Sequence, residues 1–325
     1  MPMPRRQALH MLGASLCAAG LPLVGRAQGF PAQPITLVCP YPPGGSTDQV
    51  ARLVQQGLAQ QTGQTVIVEN RGGANGTVGS AYVAKSPPDG YRILLGTQPL
   101  VTINPYLYPD AGFDPTTELT PITKAVNAIL GLAVNPELPI HNLDEFVAYA
   151  KKAKGKLTYG TSGIGSPQHI GGVQLANRAG IELQHVPYKG GGPAINDTVA
   201  GHVNATIVSL SALLPLIPEK RIRVIAIGEL QRFAGAPDIP TMAETYPGFE
   251  LTSWLGFFGP AKLPRTLVDY HSQQIRQALN DTATQQRLQA MALPVAAQGP
   301  DALAATVRDE YAQYGKIIRD NNITL

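Results

Sequence analysis

Residues 35–60 read ITLVCPYPPGGSTDQVARLVQQGLAQ, and the fold turns on how this stretch is read. A short apolar run ends in two prolines and two glycines. Ser46, Thr47 and Asp48 then open a segment that places Val50, Leu53, Val54 and Leu58 on one face. The pattern is a buried strand, a tight loop and an amphipathic helix. Ser46 stands where an N-cap is expected, and Gln49 three residues later completes a capping-box pattern. The first turn of such a helix carries unpaired N–H groups and the positive end of the macrodipole. Glycine ahead of it lets a ligand oxygen approach the backbone without meeting a Cβ.

The same grammar recurs twice. YGTSGIGSPQH (159–169) ends a strand and opens a helix, with Ser166 as cap and Pro167 at the first helical position. VPYKGGGPAIND (186–197) repeats it, with three glycines ahead of Pro193. Between these units apolar β-rich runs such as VIVEN (66–70), YRILLGT (91–97), ATIVSL (205–210) and IRVIAIG (222–228) alternate with helix-like segments. Such alternation predicts an α/β fold of parallel strands covered by helices on both faces. The stretches 125–135 and 251–264 are long, apolar and strand-like, and read as two crossovers between lobes. Lobe 1 is then 28–125 with 254–325, and lobe 2 is 126–253. The tail from Leu267 reads as helical, with faces at Val268, Ile275 and Leu279 and later at Val307, Tyr311 and Ile317. Ligands of open α/β sheets favour the carboxyl ends of strands, so three glycine loops there predict a cleft between the lobes.

Composition excludes several classes. Arg5 and Arg6 precede an apolar run from Ala8 to Val24, and Gly25-Arg26-Ala27 offers small residues for cleavage, so 1–27 reads as an export signal. Sec is the expected route, and the adjacent arginines leave a twin-arginine route open. Cleavage removes three arginines and leaves 22 basic against 22 acidic residues, so no basic field points to nucleic acid. Cys39, the cysteine left after cleavage, reads as a buried thiol. No histidines stand at metal-ligand spacing, no loop matches a phosphate-binding G-x-x-x-x-G-K, and no cofactor or metal is expected. His169, in a helix's first turn, is disfavoured as a charged group and suits a neutral hydrogen-bond donor.

With YPPGGSTDQVARL (41–53), the stretch 63–97, NPYLY (104–108), LTYGTSGIGSPQHIGG (157–172), HVPYKGGGPAINDTVAGHV (185–203) and PDIPTMAE (237–244), the chain resembles the substrate-binding receptors of tripartite tricarboxylate transporters, also called Bug receptors. The resemblance runs from about Pro34 to the C-terminus. It implies a two-lobed periplasmic binding protein, a type II flytrap that closes on a small organic carboxylate and serves tripartite-transporter membrane subunits. In that family backbone N–H groups, hydroxyls and water hold the carboxylate. Carried over, the first lobe contributes Tyr41, Gly45, Ser46, Thr47, Asp48 and Thr97, and the second Ser162, Gly165, Ser166, His169, Tyr188 and Lys189. Asp197 either organises its loop or meets the ligand's far end. One departure concerns NATIVSL (204–210), where Asn204 and Val208 stand at positions often acidic in the family and leave Ser209 as the polar group. That departure argues against amino acids and for a dicarboxylate or an aromatic carboxylate. A monomer is expected, because nothing reads as an oligomerisation helix. Two other readings stand beside the receptor. One is an exported hydrolase using Ser166 and His169 in the same cleft, and the other a ligand-presenting partner of an extracytoplasmic sensor.

Overall fold

In the computed structural model, which describes residues 29–108 and 112–324, the opening stretch folds as β1 (Ile35–Cys39) and α1 (Ser46–Thr62). The export segment expected at 1–27 lies outside the described residues. Val50, Ala51, Val54 and Leu58 are the buried apolar residues of α1, and Gly63 ends it in the left-handed region with its N–H on the Ala59 carbonyl. The chain continues through β2 (Val66–Asn70), α2 (Thr77–Ala84), β3 (Arg92–Thr97), α3 (Gln98–Thr102), α4 (Asn104–Leu107) and α5 (Pro115–Glu118) into the 16-residue β4 (Leu119–Val134). Next come α6 (Leu143–Ala153), β5 (Thr158–Thr161), α7 (Pro167–Ala179), β6 (Gln184–Pro187) and α8 (Gly191–Val199). Then follow β7 (Ala205–Ser209), α9 (Leu210–Leu213), β8 (Arg223–Ile227), α10 (Met242–Thr245) and β9 (Thr252–Pro260). The chain closes with α11 (Arg265–Leu279), α12 (Thr282–Ala290), β10 (Val295–Gln298) and α13 (Pro300–Asp320).

Sheet order is β2-β1-β3-β9-β4-β7-β5-β6, with β8 and β10 also on β4. β1 pairs in parallel with β2 and β3, and β5 pairs in parallel with β6 and β7. Every pairing of β4 and β9 is antiparallel. The parallel strands expected from the alternation are present in β1–β3 and in β5–β7, and the two crossover strands β4 and β9 join them antiparallel, so the sheet is mixed. β4 pairs with β9 as far as Ile129↔Thr252 and takes β7 from Leu130↔Ser209 onward. One strand thus enters two sheet regions, and β9 returns beside it.

Two lobes result, each with its own core. Leu37, Val54, Ile93, Phe257 and Ile275 centre the first, and Leu132, Phe146, Tyr159 and Ile207 the second. Full burial of such a side chain stabilises by roughly 1.5–3 kcal/mol. A smaller cluster joins them, packing Ile170 of α7 against Ile103, Tyr314 and Ile318. That cluster bears on the face of α13. The fully buried face of α13 runs through Leu303, Val307, Tyr314 and Ile318 because its far end packs against α7, and Tyr311 and Ile317 are half-buried at its margin, Tyr311 against the Tyr106 ring.

Candidate functional site

Between the C-terminal ends of β1, β3 and β5 lies a cavity of about 260 Å³. Tyr41, Ser46, Thr47 and Thr97 line it from the first lobe, and Ser162, Gly165, Ser166 and Ser209 from the second. Ala128 and Leu130 of β4, with Ser253 and Leu255 of β9, complete the wall where the strands cross. The structure thus brings together eight of the fourteen residues expected from sequence. Gly45, Asp48, His169, Tyr188, Lys189 and Asp197 do not line the cavity.

At α1 the cap differs from expectation. Gly45 is the N-cap, with no side-chain hydrogen bond, and Ser46 is the first helical residue. The Ser46 side chain is exposed, and no hydrogen bond to its hydroxyl occurs among the described residues. Asp48 instead ties the loop down. Its Oδ2 accepts from the Gly44 N–H and from Arg52 Nε, both at 3.0 Å, and its Oδ1 accepts from Asn70 Nδ2 at 3.1 Å. The Arg52 hydrogen bond holds this carboxyl below its usual range. Gly44 has φ +90°, a conformation open to glycine at no steric cost. On the same wall Tyr41 Oη and Thr97 Oγ1 lie 2.9 Å apart, and burial pushes the phenol pKa up.

At α7 the expected cap is present. Ser166 Oγ accepts from the His169 N–H at 3.1 Å and donates to the Gly163 carbonyl at 2.7 Å. His169 Nδ1 accepts from the Gly165 N–H at 3.2 Å, and its ring stacks on His185 with centroids 3.9 Å apart. Burial pushes the His169 pKa down to about 4, so the ring is neutral, with Nδ1 accepting and Nε2 carrying the proton as a donor. The imidazole therefore makes no hydrogen bond to the Ser166 hydroxyl among the described residues. Gly165 has φ +71°, which favours glycine, and a Cβ there would lie 2.0 Å from Leu107 Cδ1 and make that side chain turn aside.

The third loop turns elsewhere. Tyr188 packs over Gly160 and donates from Oη to Asp197 Oδ2 at 2.6 Å, while Lys189 is exposed. Burial, then the Asp197 carboxylate, pushes the Tyr188 phenol up to about 12. Asn204 accepts from the Thr158 N–H and hydroxyl at the start of β7, and buried Val208 faces Gly191. Neither lines the cavity, so the expected far wall reduces to Ser209, whose Oγ is 2.8 Å from Ser211 Oγ.

Sequence reasoning missed Asn104, Tyr108, Ile164, Gln168, Ser253 and the apolar lining from Pro99 and Leu107. Period-2 alternation in β9 could have found Ser253, and Gln168 sits at the second helical position of α7. Among the described lining residues there is no Lys, Arg, Asp or Glu. What the site offers is hydroxyls, amides, apolar walls and the N-termini of α1 and α7.

The family pattern described as "Tripartite tricarboxylate transporter family receptor" matches residues 50–323. Protein BugT of Bordetella pertussis is 32% identical over 320 residues, covering 98% of each chain. Among solved structures, an R. palustris protein with adipate superposes at TM-score 0.80 with 31% identity, covering 91% of this chain and 99% of its own. MatC from Rhodopseudomonas palustris with bound malate gives TM-score 0.74 and 28% identity, covering 89% and 100%. With its flytrap architecture, its cavity at the crossing strands and these likenesses over nearly the whole length, the chain belongs to the tripartite tricarboxylate transporter receptor family.

Proposed function

We propose that this protein is an exported, non-catalytic receptor that closes its lobes on a small organic carboxylate and presents it to tripartite-transporter membrane subunits. The observation that carries this is the cavity lined from both lobes by hydroxyls at two helix N-termini, with no charged side chain among its described residues. Unpaired N–H groups and the helix dipole favour an anion there. The N–H groups of Ser46, Thr47 and Asp48 have no acceptor among the described residues. The contacts we assign to the ligand are Tyr41, Ser46, Thr47, Thr97, Ser162, Gly165 and Ser209, with Gln168 and Ser253 added.

The ligand's body should be uncharged. A buried ammonium would find no carboxylate partner in this lining, and burying an unpaired charge is costly. Leu107, Leu130, Ile164 and Leu255 suit methylene or aromatic surface. Adipate and malate in related structures make aliphatic dicarboxylates the first class to test. The hydrolase alternative lacks a base on Ser166, whose hydroxyl proton goes to the Gly163 carbonyl. We place the export signal at 1–27, the mature chain in the periplasm, and the lobes at 28–125 with 254–325 and at 126–253.

Isothermal titration of residues 28–325 against mono-, di- and tricarboxylates and amino acids tests the reading. A carboxylate should bind with a 1:1 stoichiometry, while amino acids of similar size bind at least tenfold more weakly. Tight binding of an amino acid and of no plain carboxylate would overturn it.

A further inference from the structure

Two walls of the cavity are gripped from behind by one side chain that does not touch the cavity. Ser253 and Leu255 of β9 line it, and Trp254 between them points to the opposite face, where it is fully buried. Thr97 and Pro99 line it too, and Gln98 between them is also fully buried. The two walls are neighbours, because Thr97 pairs with Leu255 in the β3–β9 register. Both intervening side chains reach Glu310 of α13. The Trp254 indole N–H donates to its two oxygens at 3.0 and 2.9 Å, and Gln98 Nε2 donates to Oε2 at 2.8 Å. Gln98 Nε2 also reaches the Tyr314 hydroxyl, one turn along the same helix, at 2.9 Å.

We propose that Glu310 is a positioning residue for ligand capture, fixing the separation of the Thr97–Pro99 and Ser253–Leu255 walls through Gln98 and Trp254. The assignment rests on the anion-binding reading of the cavity. A carboxylate suits the task because it accepts several hydrogen bonds and those to an ionised group are the stronger kind. Charged groups of both signs surround it. Lys124 of β4, nearly buried, lies with Nζ 5.9 Å from the Trp254 ring centroid, and Arg178 of α7 and Glu250 line the same cleft as Glu310. Burial pushes the Glu310 carboxyl up and Glu250 adds to that, while the Gln98 and Trp254 hydrogen bonds and then Lys124 oppose it. Lys124 in turn faces Glu229 and Glu250 as well.

Trp254 is the chain's single tryptophan, so its emission reports this grip directly. The test compares wild type with Glu310→Ala, Glu310→Gln and Trp254→Phe in the mature chain. Hydrogen exchange is followed in the 96–99 and 252–256 segments, tryptophan emission is recorded where Trp254 remains, and adipate is the titrated probe. In Glu310→Ala both segments should exchange at least tenfold faster, with a shifted emission maximum. Glu310→Gln should restore both. Its amide oxygen takes the indole N–H, and its amide nitrogen meets Gln98 Oε1, which has no partner among the described residues and accepts once Gln98 turns. Trp254→Phe should loosen 252–256 alone, which keeps the idea testable if the alanine variant folds poorly. Adipate affinity should fall tenfold or more in Glu310→Ala and recover within threefold in Glu310→Gln. Unchanged exchange in Glu310→Ala, or loosening of both segments in Trp254→Phe, overturns the assignment. Adipate failing to bind wild type while the exchange pattern holds counts against the ligand reading and leaves the grip standing.

Discussion

Ser46 and Ser166 face one cavity from two helix starts, yet their hydroxyls are committed differently, so alanine at each should give opposite results. Ser166 Oγ receives the His169 N–H and donates its own proton to Gly163. Losing an N-cap of this kind costs about 0.5–2 kcal/mol. The proton is already used, so Ser166 has none to give an anion, and Ser166→Ala should hold affinity within about threefold. Ser46 follows the cap residue Gly45 and has no hydrogen bond to lose among the described residues. Ser46→Ala should therefore change stability by less than about 0.5 kcal/mol. If its hydroxyl donates to a carboxylate, its removal costs about 1.5–3 kcal/mol of binding, roughly 10- to 150-fold. Urea denaturation without ligand measures one side and isothermal titration with the bound carboxylate the other. The reasoning is refuted if Ser46→Ala destabilises as much as Ser166→Ala, or if Ser166→Ala loses affinity with its stability intact.

Gly165→Ala should destabilise by roughly 1–2 kcal/mol from the left-handed backbone, with a smaller share for turning the half-buried Leu107 side chain aside. Adding Leu107→Ala should remove that smaller share and leave the backbone share, read as a partial recovery of the urea midpoint. Tyr188→Phe removes the bond to Asp197 at a place outside the cavity, so titration should show carboxylate affinity unchanged. A tenfold loss would return the third loop to the ligand. Burial holds His169 and His271 near 4, below the unfolded value of about 6.5. The unfolded chain then binds more protons between these values, so stability falls as pH drops from about 6.5 towards 4, by at most ~1.4 kcal/mol per pH unit for each histidine. Imidazole NMR titration checks this, and a His169 signal that titrates near pH 6.5 contradicts it.

Local patterning carried much of this molecule. The strand–glycine–helix units at β1 and β5 are legible because the loop chemistry, the cap at Ser166 and the apolar face of α1 lie within a few residues of one another. The antiparallel pairing of β4 and β9 was not legible, since the period of an apolar run is the same in parallel and antiparallel ladders. The face of α13 was legible only in part for a related reason. A helix that packs on a sheet at Leu303 and Val307, then on α7 at Tyr314 and Ile318, does not present one stripe throughout. The third loop matched the other two in composition, yet Tyr188 turns over Gly160 towards Asp197. Glycine spacing specifies a turn and leaves open where the side chains beside it go. Ser253 and Asn104 enter the cavity only because β9 and α4 are brought to it from distant parts of the chain.

Asp48 stands in the first turn of α1, where its charge could oppose a bound anion. A carboxylate in the first turn of an anion-binding helix is an electrostatic contradiction if it points forward with the N–H groups. Here it points back. The Gly44 N–H, Arg52 and Asn70 surround its two oxygens, and the Arg52 guanidinium opposes its charge on the side away from the cavity. The residue thus shapes the PPGG loop and leaves the N–H groups of Ser46 and Thr47 without an acceptor among the described residues, as the proposed anion site requires. Like charges left unopposed at close range would cancel part of the roughly 0.3–1 kcal/mol that a helix N-terminus contributes to an anion. A cavity with no charged lining depends on such small contributions from α1 and α7 together. On the proposed reading, that dependence would make capture sensitive to how closely the two lobes bring those helix ends to one ligand.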